Sequence, residues 1–207
     1  MNKHLEVVNL TKIFTMHILN GKKIVAFKDV SFSLNKGEFL GISGKSGYGK
    51  SSLIKCIYRN YIPTSGDVFY YADNGEQINL ATADDELILH IRKNKIGYVS
   101  QFFSAVPRIP AIDIVIEPLL DKGWDRDSAI IKAKELFKRF EIDKSLWDAF
   151  PSTFSGGEKQ RINLIKAFID KPEIILLDEP TASLDQKNRS ETLEIIKEFK
   201  KEKISMI

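Results

Sequence analysis

The stretch Gly44-Lys45-Ser46-Gly47-Tyr48-Gly49-Lys50-Ser51 decides how the rest of this chain is read. It fits the pattern Gly-x-x-x-x-Gly-Lys-Ser, a loop that cradles the phosphates of a nucleoside triphosphate. The chemistry needs these residue types. Glycines let successive backbone N–H groups turn inward without a Cβ in the way. The helix that opens behind the loop adds partial positive charge at its N-terminus. Lys50 supplies a mobile full charge for the β and γ phosphates. The Ser51 hydroxyl offers a hard oxygen to Mg²⁺, and Ser52 follows in the same first turn. Lys45, Ser46, Gly47 and Tyr48 complete the loop, with the Lys45 side chain expected in solvent. The bland alternative, a flexible glycine loop with an incidental lysine, lacks the flanking pattern found here. An apolar strand, Phe39–Ser43, precedes the loop. A helix over Lys50–Tyr58, with Leu53, Ile54 and Ile57 at helical spacing, follows it.

Outward from the loop, strands alternate with helices. Leu5–Asn9 and Ile24–Phe32 read as strands around an Asn20-Gly21 turn, which predicts an antiparallel hairpin layer. Asp67–Tyr71 and Gln77–Leu80 predict a second hairpin around Asp73-Asn74-Gly75. Asp84–Arg92 reads as a helix and Ile96–Val99 as a strand, and Pro107 and Pro110 punctuate an irregular stretch. Asp127–Phe140, Gly157–Ile169 and Lys187–Lys203 read as helices. Ile174–Leu177 is an unbroken apolar run, as a strand buried on both faces requires. The alternation predicts an α/β fold with a parallel core sheet, an antiparallel β region over 1–35 and 60–82, and a helical lobe over about 103–165, all in one domain spanning 1–207.

Asp178-Glu179 follows the apolar run, so the strand delivers both carboxylates to the carboxyl edge of the sheet. Asp178 is suited to hold Mg²⁺, through water. Glu179 is suited to polarise an attacking water. The alternative, an acidic surface turn before Pro180, loses weight beside a phosphate loop.

Together these residues resemble the ATP-binding-cassette ATPases, over nearly the whole chain. Ser155-Gly156-Gly157-Glu158-Lys159-Gln160 is similar to the signature motif of that superfamily, with Phe154 and Glu158 replacing its commonest residues. Physically, Ser155 and the two glycines open a helix and so form a second anion site. The resemblance implies that Ser155, Gly156, Gly157 and Glu158 of one copy close on the ATP held by Lys50 of a second copy, head to tail. It implies a Q-loop role for Gln101 toward Mg²⁺ or the attacking water, and a dimer-crossing loop at Ser183-Leu184-Asp185. It places Phe14 against adenine; a buried phenylalanine with no ligand is the competing reading. The family also carries a switch histidine beyond the strand after the last helix. His4, His17 and His90 are all elsewhere, and Ile204–Ile207 reads as the start of that strand, so the sequence is expected to stop short of the switch.

Four segments are similar to the cassette of the phosphonate carbon–phosphorus lyase system: Ile57–Pro63, Gly97–Phe102 with Val106–Ile109, Pro118–Gly123, and Pro151–Glu158. That resemblance implies a dimeric ATPase that gates or remodels soluble lyase subunits, beside the synthesis of a ribose-phosphonate triphosphate. The rival is the motor of a membrane transporter, similar to lipoprotein-release and macrolide-export cassettes. A third class is a scaffold that binds ATP but scarcely hydrolyses it. Phe102, Phe103, Val106 and Ile109 suit a partner-docking surface or packing of the helical lobe.

Bulk properties agree with these readings. The 207 residues are 43% hydrophobic and 29% charged, as in an ordinary globular domain. A net charge of +3 gives no ground for nucleic-acid binding. One cysteine, Cys56, excludes an internal disulfide and suits a cytoplasmic setting, peripheral at the inner membrane for a transporter subunit. Cys56 lies in the apolar helix and is expected in the core. No segment reaches the ~18 apolar residues of a membrane span, so no direct insertion is expected.

Overall fold

The computed structural model describes residues 3–16, 21–101, 103 and 107–207. They form two compact units, one of residues 3–92 with 205–207 and one of residues 93–204.

The first unit is built on a four-stranded antiparallel sheet in the order β2-β1-β3-β4, with β1 Lys3–Met16, β2 Lys22–Asn35, β3 Ser65–Tyr71 and β4 Gln77–Asn79. Both long strands extend beyond the hydrophobic runs that mark them in sequence. The expected hairpin forms, although Asn20 lies outside the described residues. Its register jumps between Val7↔Phe32 and Leu10↔Val30, where Asn9 (φ 47°) is left-handed, and again between Leu10↔Val30 and Lys12↔Phe27, where Asp29 (φ 51°) is. Side chains hold both irregularities: the Asn9 N–H donates to Ser31 Oγ at 2.8 Å in the first, and the Asp29 N–H to Thr11 Oγ1 at 3.0 Å in the second. Bulges of this kind bend and twist a ribbon.

Helix α1 (Lys50–Ile57) buries Leu53, Ile54, Cys56 and Ile57. Burial pushes the Cys56 thiol up to about 11. Cys56 is therefore an inert core residue, as its apolar setting predicts. Helix α2 (Asp85–Asn94) follows β4, with His90 exposed on it. Strand β7 (Ser205–Met206) is buried in this unit. His4 Nδ1 lies 2.7 Å from Ser205 Oγ, and the Gly37 N–H donates to the same hydroxyl at 2.8 Å.

One expected strand is cut short. Phe39–Ser43 pairs only around Phe39, in a parallel bridge to Met206. The Leu40 N–H donates to Met206 O and the Met206 N–H to Glu38 O, both at 2.9 Å. Pairing with the two-residue β7 covers only 38–40. Gly41, Ser43 and Gly44 are exposed, and the chain runs into the phosphate loop without regular structure.

In the second unit β5 (Ile96–Val99) and β6 (Ile174–Leu177) pair in parallel over all four residues, from Ile96↔Ile174 to Val99↔Leu177. The helices are α3 (Ala111–Asp121), α4 (Arg126–Arg139), α5 (Gly156–Phe168) and α6 (Gln186–Lys201). Side chains cap three of them: Asp125 for α4, Ser155 for α5 and Asp185 for α6. Helix α3 has no counterpart among the helices expected from sequence. Pro118 lies inside it, where proline removes a backbone donor and crowds the carbonyl four residues back. Burial of Ala111, Ile112, Ile114, Val115, Ile116 and Leu119 offsets that cost.

Gly66 sits beneath the β1 bulge at φ 87°, where a Cβ would lie 2.4 Å from Asn9 O; Gly75 has φ 85° and open space around it. Gly75→Ala is expected to cost about 1 kcal/mol for the left-handed backbone alone. Gly66→Ala should cost about 2 kcal/mol more, because backbone must move. Urea unfolding midpoints of the two variants check this, and equal midpoints would contradict the packing of Gly66 under Asn9.

Candidate functional site

The phosphate loop lies wholly within the first unit. Gly47 (φ 83°) and Gly49 (φ 82°) take left-handed backbone on either side of Tyr48, as an inward-turned set of N–H groups requires. Gly49 is the N-cap of α1 and provides no side-chain cap, and the first turn holds no acidic residue. The capped helices α4, α5 and α6 differ in this respect. The N-terminus of α1 thus keeps its orphan N–H groups and its partial positive charge for an anion. Lys50 Nζ folds across the loop and donates to Gly44 O at 3.0 Å and Lys45 O at 3.2 Å. The Ser51 hydroxyl and Ser52 stand in the first turn, half-buried. Lys45, Ser46 and Tyr48 are exposed, with Tyr48 at 69%.

The loop is fastened to the hairpin. A Cβ at Gly49 would fall 2.2 Å from Ala26 O, so α1 begins in close contact with β2. Opposite Ala26 the register is Lys12↔Phe27, Ile13↔Val25 and Phe14↔Ile24. Phe14 is therefore within about 7 Å of strand length from the contact that seats the loop. Its ring is half-buried and meets Tyr61 edge-to-face, with centroids 5.2 Å apart and planes at 85°. Lys12 Nζ stands 4.8 Å from the Phe14 centroid. The unit thus holds a phosphate cradle and an aromatic corner within one small region.

The second unit holds the remaining predicted residues. Asp178 follows β6, and its N–H donates to Val99 O at 2.9 Å. The residue is 4% exposed, and Tyr98 OH donates to its Oδ2 at 3.1 Å. A buried carboxylate needs compensation. A neutral hydroxyl on one oxygen supplies only part of it, so Asp178 fits a hard cation such as Mg²⁺. Glu179 is half-buried at φ 48°, uncommon for a non-glycine residue, and directly precedes Pro180. The Ala182 N–H donates to its carbonyl at 3.2 Å. Such strain is found where surrounding structure over-determines a functional group. Gln101 is half-buried after β5. Its neighbourhood is braced from α5, where Asn163 Nδ2 donates to Ser100 O at 3.4 Å. Of the apolar residues after Gln101, Phe103 and Ile109 are half-buried; Phe102 and Val106 lie outside the described residues.

Ser155, Gly156, Gly157 and Glu158 open α5 as a capping box. The Glu158 N–H donates to Ser155 Oγ at 3.3 Å, and the Ser155 N–H donates to Glu158 Oε2 at 2.7 Å. The Glu158 carboxylate is thereby turned onto the helix end. The two glycines differ. Gly156 has nothing within 4 Å of a built Cβ, whereas Gly157 would place one 2.0 Å from Asn188 Oδ1 and 2.8 Å from Asn188 Cβ. Asn188 in turn is held by Asp185, which accepts its N–H at 3.0 Å and its side-chain amide at 2.5 Å. These bonds hold the Asp185 carboxyl below its usual range, the backbone N–H contributing most. The structure thus joins the Ser155 turn to the Asp185 turn through Asn188. Sequence reading overlooks Asn188, Tyr98 and Tyr61. Their partners are distant in the chain or cross-strand; Tyr61 and Tyr98 lie in segments that carry a family likeness, which assigns neither a contact.

A mononucleotide-type phosphate loop, a carboxylate pair after a parallel strand with its first member buried, and a second glycine-opened helix define the class of P-loop nucleotide-binding proteins with a cassette signature. The ABC transporter family model matches residues 27–182, and the chain belongs to that family. It is 34% identical over 202 residues to an uncharacterized ABC transporter ATP-binding protein of Methanocaldococcus jannaschii, covering 96% of this chain and 82% of the relative. The solved dimeric structure of that cassette, in a post-hydrolysis state bound to ADP and Pi, superposes with a TM-score of 0.85 at 32% identity, covering 98% of this chain and 85% of the other. The chain is also similar to the lipoprotein-releasing system ATP-binding protein LolD of Myxococcus xanthus, 30% identical over 196 residues (95% of this chain, 85% of the relative). Likewise it is 36% identical over 180 residues to the ergothioneine transport ATP-binding protein EgtV of Helicobacter pylori (87% and 79%). The fold is that of an ABC nucleotide-binding domain, α/β with a parallel pair and an antiparallel β layer. Among the described residues no helix is long and apolar enough to cross a membrane.

The unequal glycines give a test. Gly157→Ala is expected to destabilise by about 1–3 kcal/mol through overpacking against Asn188, with part recovered by adding Asn188→Gly. Gly156→Ala should change stability by less than about 0.5 kcal/mol. Thermal denaturation separates the two, and an equal loss at both positions would refute the assigned contact.

Proposed function

We propose that this chain is an ATP-hydrolysing cassette that works as a head-to-tail pair and drives a partner assembly. The observation that carries the reading is the uncapped α1 N-terminus with Lys50 folded over it, beside the Phe14 corner. Lys50 grips the β and γ phosphates. Ser51 and Asp178 each offer an oxygen to Mg²⁺, and Gln101 senses the metal or the attacking water. The metal, when bound, neutralises phosphate charge and orients the leaving group. Glu179 orients and polarises the water. Ser155, Gly156 and Gly157 present α5 to the γ phosphate held by the second copy, and Asp185 lies at the crossing between copies. The open space at Gly156 supports this, since among the described residues nothing lies within 4 Å of a Cβ built there.

For the partner, the names of the curated relatives favour a membrane permease. They include lipoprotein-releasing, ergothioneine-transport and methionine-import ATP-binding proteins. In that reading the chain sits on the cytoplasmic face of the membrane, and the stretch after Gln101 is the docking side. A second reading rests on the four segments similar to the carbon–phosphorus lyase cassette. There the same hydrolysis would gate soluble subunits that make a ribose-phosphonate triphosphate. Affinity purification from native cells decides between them: a membrane-spanning permease supports the first and soluble lyase subunits the second.

Two substitutions test the ATPase reading. Lys50→Ala should weaken Mg-ATP binding about a hundredfold, from loss of a charged contact. Glu179→Gln should leave binding intact, abolish turnover and elute as a dimer with Mg-ATP on size exclusion. A Glu179→Gln protein that still hydrolyses ATP, or stays monomeric with saturating Mg-ATP, would overturn the assignment.

A further inference from the structure

The phosphate loop accounts for affinity toward any triphosphate; it does not account for choosing a nucleoside. The segment Tyr58-Arg59-Asn60-Tyr61-Ile62 lies where that choice can be made. It leaves the end of α1, which begins at the phosphate loop. The Arg59 N–H donates to Cys56 O at 3.0 Å and the Tyr61 N–H to Lys55 O at 3.1 Å. The segment is then stitched to β1. Lys12 Nζ donates to Ile62 O at 2.8 Å, the Thr64 N–H to Thr11 O at 2.8 Å, and the Ile13 N–H to Thr64 Oγ1 at 2.9 Å. Arginines brace the other side. Arg92 donates to Tyr58 O at 2.7 Å and Asn60 Oδ1 at 3.1 Å, and Arg59 donates to Leu80 O at 3.0 Å. Tyr61 is therefore fixed by backbone and side-chain bonds on both flanks, and its ring is what meets Phe14.

Phe14, by contrast, stands near the exposed end of the hairpin, followed by exposed Thr15 and Met16. A phenylalanine there has rotamer freedom to lose before a base can stack on it. We propose that Tyr61 is a positioning residue for the base: it holds the Phe14 ring at a fixed angle, so that the site prefers a nucleoside triphosphate to the bare polyphosphate. The inference rests on reading Gly44–Ser51 as a triphosphate site. Lys12, 4.8 Å from the Phe14 centroid and tied to Ile62 O, fixes the same ring from a second direction. The ring quadrupoles favour an edge-to-face pair beyond the area it buries, a preference that an aliphatic neighbour of similar bulk cannot supply. The angle between the rings, not hydrophobic burial alone, is thus the property that matters.

Calorimetric titration with Mg-ATP and, separately, with magnesium and inorganic tripolyphosphate tests this on the wild type, Tyr61→Phe, Tyr61→Leu, Phe14→Ala and the Phe14→Ala/Tyr61→Leu double variant. Tyr61→Leu should weaken ATP about three- to tenfold and leave tripolyphosphate unchanged. Tyr61→Phe should keep both affinities within about twofold, because the edge-to-face pair survives. In the double variant Tyr61→Leu should cost nothing beyond Phe14→Ala, since its effect passes through that ring. Equal losses for both ligands, an unchanged ATP affinity, or additive effects in the double variant would overturn the proposal. If the wild type binds tripolyphosphate as tightly as ATP, base selection fails while the phosphate reading stands. If it binds neither, the phosphate-loop reading itself falls.

Discussion

The close approach of Gly49 to the Ala26 carbonyl is the constraint from which the first unit's site follows. No side chain fits there, and the left-handed backbone at Gly49 has little cost only for glycine. That contact fixes where α1 begins relative to the hairpin. It leaves the helix N-terminus without a side-chain cap, free to face an anion. Because the hairpin register is set by the paired strands, the same contact also fixes how far Phe14 lies from the phosphate cradle. One glycine thus couples the charged end of a nucleotide site to its aromatic end.

The second unit solves a related problem differently. Its helices α4, α5 and α6 satisfy their first turns with side chains, and the Ser155 turn does so reciprocally with Glu158. A capped helix end still presents the N–H groups of Gly156 and Gly157. Gly157 is consumed by packing against Asn188, which Asp185 holds in place, while Gly156 faces open space. Gly157 is thus required by the packing of its own unit, while a side chain at Gly156 would meet nothing within 4 Å among the described residues. The buried Asp178, steadied by Tyr98, and the left-handed Glu179 before Pro180 lie beyond a strand whose four residues are all paired.

Much of this was legible in the sequence. The loop at Gly44–Ser51, the helix behind it, β5 and β6 follow from local pattern and length, and the structure places them at nearly those bounds. The signature turn was legible as an N-cap with glycines. Helix α3 was not, because Pro118 and a β-branched run argue against a helix locally, and only tertiary burial reverses that. Phe39–Ser43 reads as a strand by its apolar content, yet pairing is a property of the partner, and β7 reaches only 38–40. Tyr61 stands in a segment that resembles one family, and the sequence alone gives it no physical role. Its contact with Phe14 spans 47 positions, and nothing local signals it. Asn188 was hidden for the same reason, since the glycine it touches lies on another helix.

The central claim is that each ATP site is composite, with the Lys50 loop of one copy and the Ser155 turn of another. Mixing two variants measures it most directly. Lys50→Ala keeps an intact signature turn, and Gly156→Asp keeps an intact phosphate loop, at a position with room for the new side chain. Neither alone should hydrolyse ATP. In single-turnover hydrolysis the equimolar mixture should regain activity, because the mixed pair contains one complete site. No recovery on mixing, or full activity of either variant alone, would contradict the account.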